Sequence, residues 1–449
     1  MFNRLIEKDL LKWKTSPIRK PLIIRGARQV GKTSVVRKFG MENFDQVIEI
    51  NFEKKDQFAV FNKAISVDDF LNRINLFFDK EVVSGKSILF LDEIQGSNNT
   101  LELLRFFAEE KPDLHVIATG SLLEAKIDNG WSIPVGRVDY KYLYPLTFFE
   151  YLQAKGKISL LKVLRSLNLG DSFEFGNIVS DLFKEYVIVG GMPEAANSFI
   201  KNNNYEEIRT IFNRLTTAYI DDIRKYSKSV EENKYLEQVV ESGPKIAGTL
   251  FNYENFGGSS FRSREMGNAV QTVEKVMLLR QVLAINSVTL PVLPKNNRAK
   301  KMIWLDVGLT NFVNNAYKEI ITGEYKGKIM EQVVGQNLIA HGINQQQDLY
   351  YWSKERNEGT AEVDFCLQYN SRLIGFEIKS GNIGQMKSLF SMGNTNPDIL
   401  LVRISWDNLN IERWNFAGKQ YKVLSLPFYL TDRWEDLVNQ FMLVLDEDK

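Results

Sequence analysis

The chain has 449 residues, 44% of them hydrophobic and 25% charged, with a formal net charge of +1. That length exceeds one ordinary core and predicts about three domains, in a composition typical of globular proteins. The near-zero charge excludes a global field for nucleic acid or membranes, so any such binding must come from a local patch.

A single cysteine, Cys366, excludes an internal disulfide or a cysteine-rich zinc site, and two histidines, His115 and His341, argue against a histidine metal centre. The first 15 residues are charged throughout and do not read as a signal peptide. No apolar run approaches the ~18 residues of a membrane span. The expectation is a cytoplasmic protein without a membrane segment.

Residues 1–19 read as an amphipathic lead-in helix. Apolar runs at 22–25, 47–52, 87–91, 114–119 and 140–143 then alternate with helical stretches such as 70–80 and 101–110. Strands alternating with helices predict a parallel sheet covered on both faces. After residue 145 the strand runs stop, and 148–154, 158–167, 178–189, 205–225 and 234–241 suit helices. Helices at 245–253, 263–268 and 269–281, then strands at 284–293 and 300–304, predict a winged helix-turn-helix. From 306 the pattern mixes again, with a helix over 328–341 and strands at 349–353, 362–368, 373–379 and 399–404. The fold class is therefore a multidomain α/β protein. Residues 1–155 are expected to form a P-loop domain, 156–310 a helical and winged-helix middle, and 311–449 a C-terminal α/β domain.

The string Gly26-Ala27-Arg28-Gln29-Val30-Gly31-Lys32-Thr33, followed by Ser34, fits GxxxxGK[ST] between an apolar strand and a helix. Its glycines let successive N–H groups curl around phosphates, and the helix N-terminus adds its positive end. Lys32 is expected on the β- and γ-phosphates of ATP, with Thr33 as a Mg²⁺ ligand. The run ending in Leu91-Asp92-Glu93 delivers two carboxylates at a strand's C-terminal end, where open α/β sheets bind ligands. Asp92 would hold the Mg²⁺, and Glu93 would orient or deprotonate the attacking water. Thr119 or Ser121 would place a hydroxyl nearby, and Arg137 is a candidate for stabilising transition-state charge in cis or in trans.

From residue 20 to 380 the chain resembles a prokaryotic group of AAA-type ATPases known chiefly as ATP-binding proteins, with a C-terminal domain of unknown function. The resemblance rests on Arg25 to Thr33, Phe90-Leu91-Asp92-Glu93-Ile94-Gln95, Thr119-Gly120-Ser121, Gly136-Arg137 and Tyr144-Pro145-Leu146-Thr147-Phe148-Phe149-Glu150. It continues through Gly190-Gly191-Met192-Pro193, Asp306-Val307-Gly308-Leu309, Ala361-Glu362-Val363-Asp364-Phe365 and Phe376-Glu377-Ile378-Lys379-Ser380. It implies ATP rather than GTP, a winged helix, and a restriction-endonuclease-like end.

In the expected wing, Lys295, Arg298, Lys300 and Lys301 are candidates for DNA phosphates. Near the C-terminus, Glu331, Asp364, Glu377 and Lys379 stand in the order E…D…ExK, resembling the PD-(D/E)xK nuclease fold. In an extended strand Glu377 and Lys379 point to one face, and Asp364 alternates between Val363 and Phe365. Asp364 and Glu377 would share a second Mg²⁺ or Mn²⁺, with Lys379 near the water and Glu331 in the outer shell. The leading expectation is an ATPase coupled to a DNA-directed or nuclease-like module. Against it stands a regulatory or scaffolding ATPase whose C-terminal half binds a protein partner or a second copy and cleaves nothing. A small-molecule kinase would share the P-loop but leaves the further domains unexplained.

Overall fold

A computed structural model describes residues 2–120, 134, 136–227, 229–316, 323, 325–354, 361–381 and 386–447. The chain divides into two compact units. The first comprises Met1–Pro145 with Lys275–Met277 and Gly342–Gln346, and the second comprises the remainder.

Among the described residues the first unit is built on five strands: β1 (Leu22–Arg25), β2 (Gln46–Asn51), β3 (Ser87–Asp92), β4 (His115–Gly120) and β5 (Asp139–Tyr142). All pair in parallel in the order β2-β3-β4-β1-β5. Strands β3 and β4 are buried at every position, as expected when helices cover both faces. Ile50, Leu89, Leu91, Val116 and Ala118 pack with Phe70, Leu104 and Phe107 of the flanking helices. Register aligns Asn51 with Asp92, and Arg25 with Gly120. The polar C-terminal strand ends therefore share one edge of the sheet.

Among the described residues the second unit carries nine strands, numbered on as β6 (Leu250–Phe251), β7 (Leu279–Ile285), β8 (Lys300–Trp304), β9 (Tyr350–Ser353), β10 (Glu362–Tyr369), β11 (Arg372–Lys379), β12 (Leu400–Ser405), β13 (Asn410–Phe416) and β14 (Lys419–Pro427). Their order is β13-β14-β12-β11-β10-β9-β7-β8-β6. Strand β7 pairs in parallel with β9, so the hairpin expected as a wing continues into the same sheet as β9 to β14. The helix expected over 269–281 ends at Lys275, because Met277 turns left-handed at φ 63° and β7 begins two residues later. The strand expected over 284–293 runs instead from 279 to 285.

The Gly190-Gly191 and Asp306 strings form a backbone knot in this unit. The carboxylate of buried Asp306 accepts from the N–H of Gly191 at 2.7 Å and of Leu309 at 3.0 Å. A Cβ on Gly191 would lie 2.1 Å from the Leu146 carbonyl oxygen, so only glycine fits there. Burial pushes Asp306 up to about 6, against these hydrogen bonds.

Candidate functional site: a phosphate loop and an acidic cluster

Two positive-φ residues, Gln29 at 65° and Gly31 at 99°, turn the loop from β1 into the helix Lys32–Asn43. A Cβ on Gly26 would meet the Leu143 carbonyl at 2.3 Å, so the loop's first turn requires glycine. The Lys32 ammonium folds back onto the carbonyls of Gly26 (3.0 Å) and Ala27 (2.9 Å). Burial lowers its pKa to about 8, and the pull of Glu93 and Asp92 offsets only part of that. This arrangement suits a phosphate: the ammonium rests on weak neutral acceptors that a stronger anion can replace.

Asp92 is the hub of the polar edge. It accepts from Thr33 Oγ1 at 3.1 and 3.2 Å, from Thr119 Oγ1 at 2.5 Å and from Asn51 Nδ2 at 3.0 Å. Burial raises its pKa, and the Thr119 hydrogen bond opposes this. Glu93 stands left-handed at φ 52° and takes a 2.5 Å hydrogen bond from Gln95. Lys32, Thr33, Asp92 and Thr119 are thus brought together at the loop, with Glu93 next along the chain.

Other expected residues fall elsewhere. Ser121 lies outside the described residues. Arg137 precedes β5 at the end of the sheet opposite the loop, because Leu22 pairs with Asp139, and it bonds Glu109 at 2.7 Å. Two further residues belong to no motif and escape a reading of the sequence. Asn51 reaches Asp92 from β2. Arg4, buried, donates to the carbonyls of Val30 (2.9 Å) and Tyr144 (2.6 Å), bracing the loop from behind. The only sequence signal for Asn51 is its place at a strand's C-terminal end.

In the second unit, Glu331, Asp364, Glu377 and Lys379 occupy one region, but not as expected. Register shifts by one residue between Val363 and Cys366, so a bulge replaces simple alternation at Asp364. The bulge lets Asp364 Oδ2 accept from the Ile378 N–H at 2.7 Å. Lys379 closes on Glu377 at 2.7 Å, leaving Glu377 Oε2 buried without a hydrogen bond. Burial, then the nearby Asp364 charge, raise the pKa values of Glu331 and Glu377. Among the described residues no group of three or more His, Cys, Asp or Glu could hold a metal ion. The expected second Mg²⁺ or Mn²⁺ is therefore not supported.

The expected wing also differs. Lys301 is buried, Arg298 donates to Ser353 Oγ and the Lys354 carbonyl, and Lys300 sits 4.5 Å over the Tyr253 ring. Of the four cations Lys295 alone is exposed. The helix Ser263–Lys275 instead turns Arg264, Asn268 and Gln271 outward, with Arg262 just before it. Its Glu274 is tied inward, accepting from the Gln281 backbone at 2.8 Å and side chain at 2.6 Å.

The parallel sheet, the loop and Asp92 define a P-loop ATPase domain of AAA type, a class that generally uses ATP and Mg²⁺. Residues 18–152 match the family described as an AAA domain. Residues 180–319 and 326–419 match two families described as domains of unknown function, DUF8612 and DUF4143. No curated protein matches the chain. Similar solved structures include a Walker-type ATPase of Pyrococcus abyssi, at 15% identity over 70% of this chain and 96% of that one, TM-score 0.43. Another is the Aeropyrum pernix ORC1 protein in complex with DNA (12%, 71% and 93%, TM-score 0.30). The Thermotoga maritima RuvB Holliday junction branch migration motor also matches (14%, 63% and 90%, TM-score 0.27). Among the described residues no helix is long and apolar enough to cross a membrane.

Proposed function

We propose that this protein is a Mg²⁺-dependent ATPase whose second unit binds DNA through the helix Ser263–Lys275. Bound MgATP supplies the phosphoanhydride to be cleaved. Lys32 would leave its two carbonyls to neutralise phosphate charge, Thr33 and Asp92 would hold the Mg²⁺, and Glu93 would orient the water and take its proton. Replacing Glu93 by Gln keeps the size and removes the base. Hydrolysis should then fall by about 10²–10⁴-fold with nucleotide still bound, and unchanged turnover would remove Glu93 from the reaction.

The DNA reading rests on one observation, the outward Arg262, Arg264, Asn268 and Gln271 with Glu274 turned away. Arginines bind phosphates or guanine, and Asn and Gln match adenine, when a helix lies in the major groove. The order helix Val230–Ile246, β6, helix Ser263–Lys275, β7 and β8 supports a winged-helix frame. The test is binding of the full chain to a DNA duplex across a salt series. Arg262→Ala/Arg264→Ala should weaken binding and reduce the salt slope by roughly 0.9 for each phosphate that is no longer neutralised. The same affinity and slope in variant and parent would remove this helix from DNA binding.

A further inference from the structure

Lys301 stands among the cations that the sequence assigns to DNA phosphates, yet its side chain is only 3% exposed. Its Nζ lies 2.6 Å from Glu331 Oε2, 3.4 Å from Glu362 Oε1 and 3.6 Å from Asp364 Oδ1. The Asp364 carbonyl oxygen stands 3.3 Å away, and the Phe365 ring centroid is at 5.3 Å. Carboxylates from a helix (Glu331) and from the strand at its bulge (Glu362 and Asp364) thus converge with a carbonyl on one point. These are the donor types of a hard-cation site, although their placement around Lys301 forms no metal site among the described residues. The ammonium is already at that point.

Two further facts fix this occupancy. Lys301 lies within β8, opposite Leu250 of β6 on one side and Val282 of β7 on the other, so its backbone is held in the sheet. Of the two carboxylates that a nuclease would devote to its metal, Asp364 turns only Oδ1 toward this point, its Oδ2 accepting from the Ile378 N–H, and Glu377 is paired with Lys379. An isolated buried ammonium would lose its proton. Here three acids hold the charge in place.

We propose that Lys301 is the resident cation of this cluster and takes the place of a divalent ion. The C-terminal part, despite its nuclease-like order of helix, three antiparallel strands, helix and parallel strand, then works without metal and does not cleave phosphodiesters. This inference is independent of the DNA reading, because a metal-free frame is compatible with either a DNA or a protein partner.

The experiment is Mn²⁺ binding to the nucleotide-free full chain, read by electron paramagnetic resonance, with DNA cleavage followed in parallel. The comparison is between wild type, Asp364→Asn, Lys301→Met and Lys301→Met/Asp364→Asn. Wild type and Asp364→Asn should bind Mn²⁺ identically, and neither should cleave. Lys301→Met should gain about one Mn²⁺ per chain, as the freed carboxylates take a hard ion, and the double variant should lose it. Wild-type Mn²⁺ binding or cleavage that disappears in Asp364→Asn overturns the proposal, as does a folded Lys301→Met that gains no ion. Should Lys301→Met fail to fold, melting of wild type and Lys301→Arg with and without millimolar Mn²⁺ decides. No shift in either supports a resident cation, and a wild-type rise abolished by Asp364→Asn refutes it.

Discussion

Lys32 and Lys301 are both buried lysines beside carboxylates, and their pKa values move in opposite directions. Burial lowers the pKa of each. At Lys32 the pull of Glu93 and Asp92 is too weak to reverse that, and the value stands at about 8. At Lys301 the pull of Asp364, Glu331 and Glu362 more than reverses it, and the pKa rises above its ordinary value. The difference lies in what touches the ammonium: backbone carbonyls at one site, carboxylate oxygens at the other. A lysine resting on neutral acceptors is ready for an incoming anion, whereas a lysine already neutralised has nothing to offer one.

The largest expected effect bears directly on this contrast. Lys301→Met leaves three partly buried carboxylates without their counter-charge and should cost about 3 kcal/mol of unfolding free energy, the lower end for a broken buried pair because each carboxylate keeps some exposure. Lys32→Met removes a charge that burial disfavours and should leave stability unchanged or raised at pH 7, while abolishing tight ATP binding. Equal destabilisation of the two variants in urea titrations would collapse the distinction.

A second test uses pH. Lys32's folded pKa is depressed, so its contribution to stability is present above about 10.5 and is lost as pH falls through about 8. Phosphate needs the charged form, so ATP affinity runs the other way. It should hold steady from about pH 6.5 to 7.5 and weaken above about pH 8, by at most about tenfold per pH unit. A flat profile to about pH 9.5 in a fluorescent-nucleotide titration would show that Lys32 keeps its proton without phosphate. A smaller effect is expected at Arg4. Arg4→Ala removes the brace behind Val30 and should raise KM for ATP about three- to tenfold with kcat within about twofold, as expected when binding rather than transition-state stabilisation is impaired. An unchanged KM would make Arg4 a purely structural brace.

The same pair shows what the sequence reveals. The loop is legible because its chemistry needs consecutive residues: Gly26, Gly31, Lys32 and Thr33 are fixed by local backbone shape. Asp92 is legible because strand ends collect ligands, and the same rule narrows the neighbouring hydroxyl to Thr119 or Ser121 without choosing between them. Lys301 misleads because a run of cations near a turn ordinarily faces water, and only the pairing of β8 with β6 and β7 turns it inward. Asp364 misleads because strict alternation leaves no room for a bulge. Asn51 and Arg4 act across 41 and 26 positions of chain, a reach no local pattern records.

The parallel pairing of β7 with β9 constrains how this protein can be taken apart. A fragment starting near residue 311 would lose β7 and β8 together. It would bare the edge of β9 in Tyr350-Tyr351-Trp352-Ser353, an aromatic strand edge that invites association with other chains. It would also strand Glu331, Glu362 and Asp364 without Lys301. A cut drawn where the sequence pattern changes would therefore divide a single hydrogen-bonded sheet, and a fragment meant to isolate the C-terminal part has to begin upstream of Leu279.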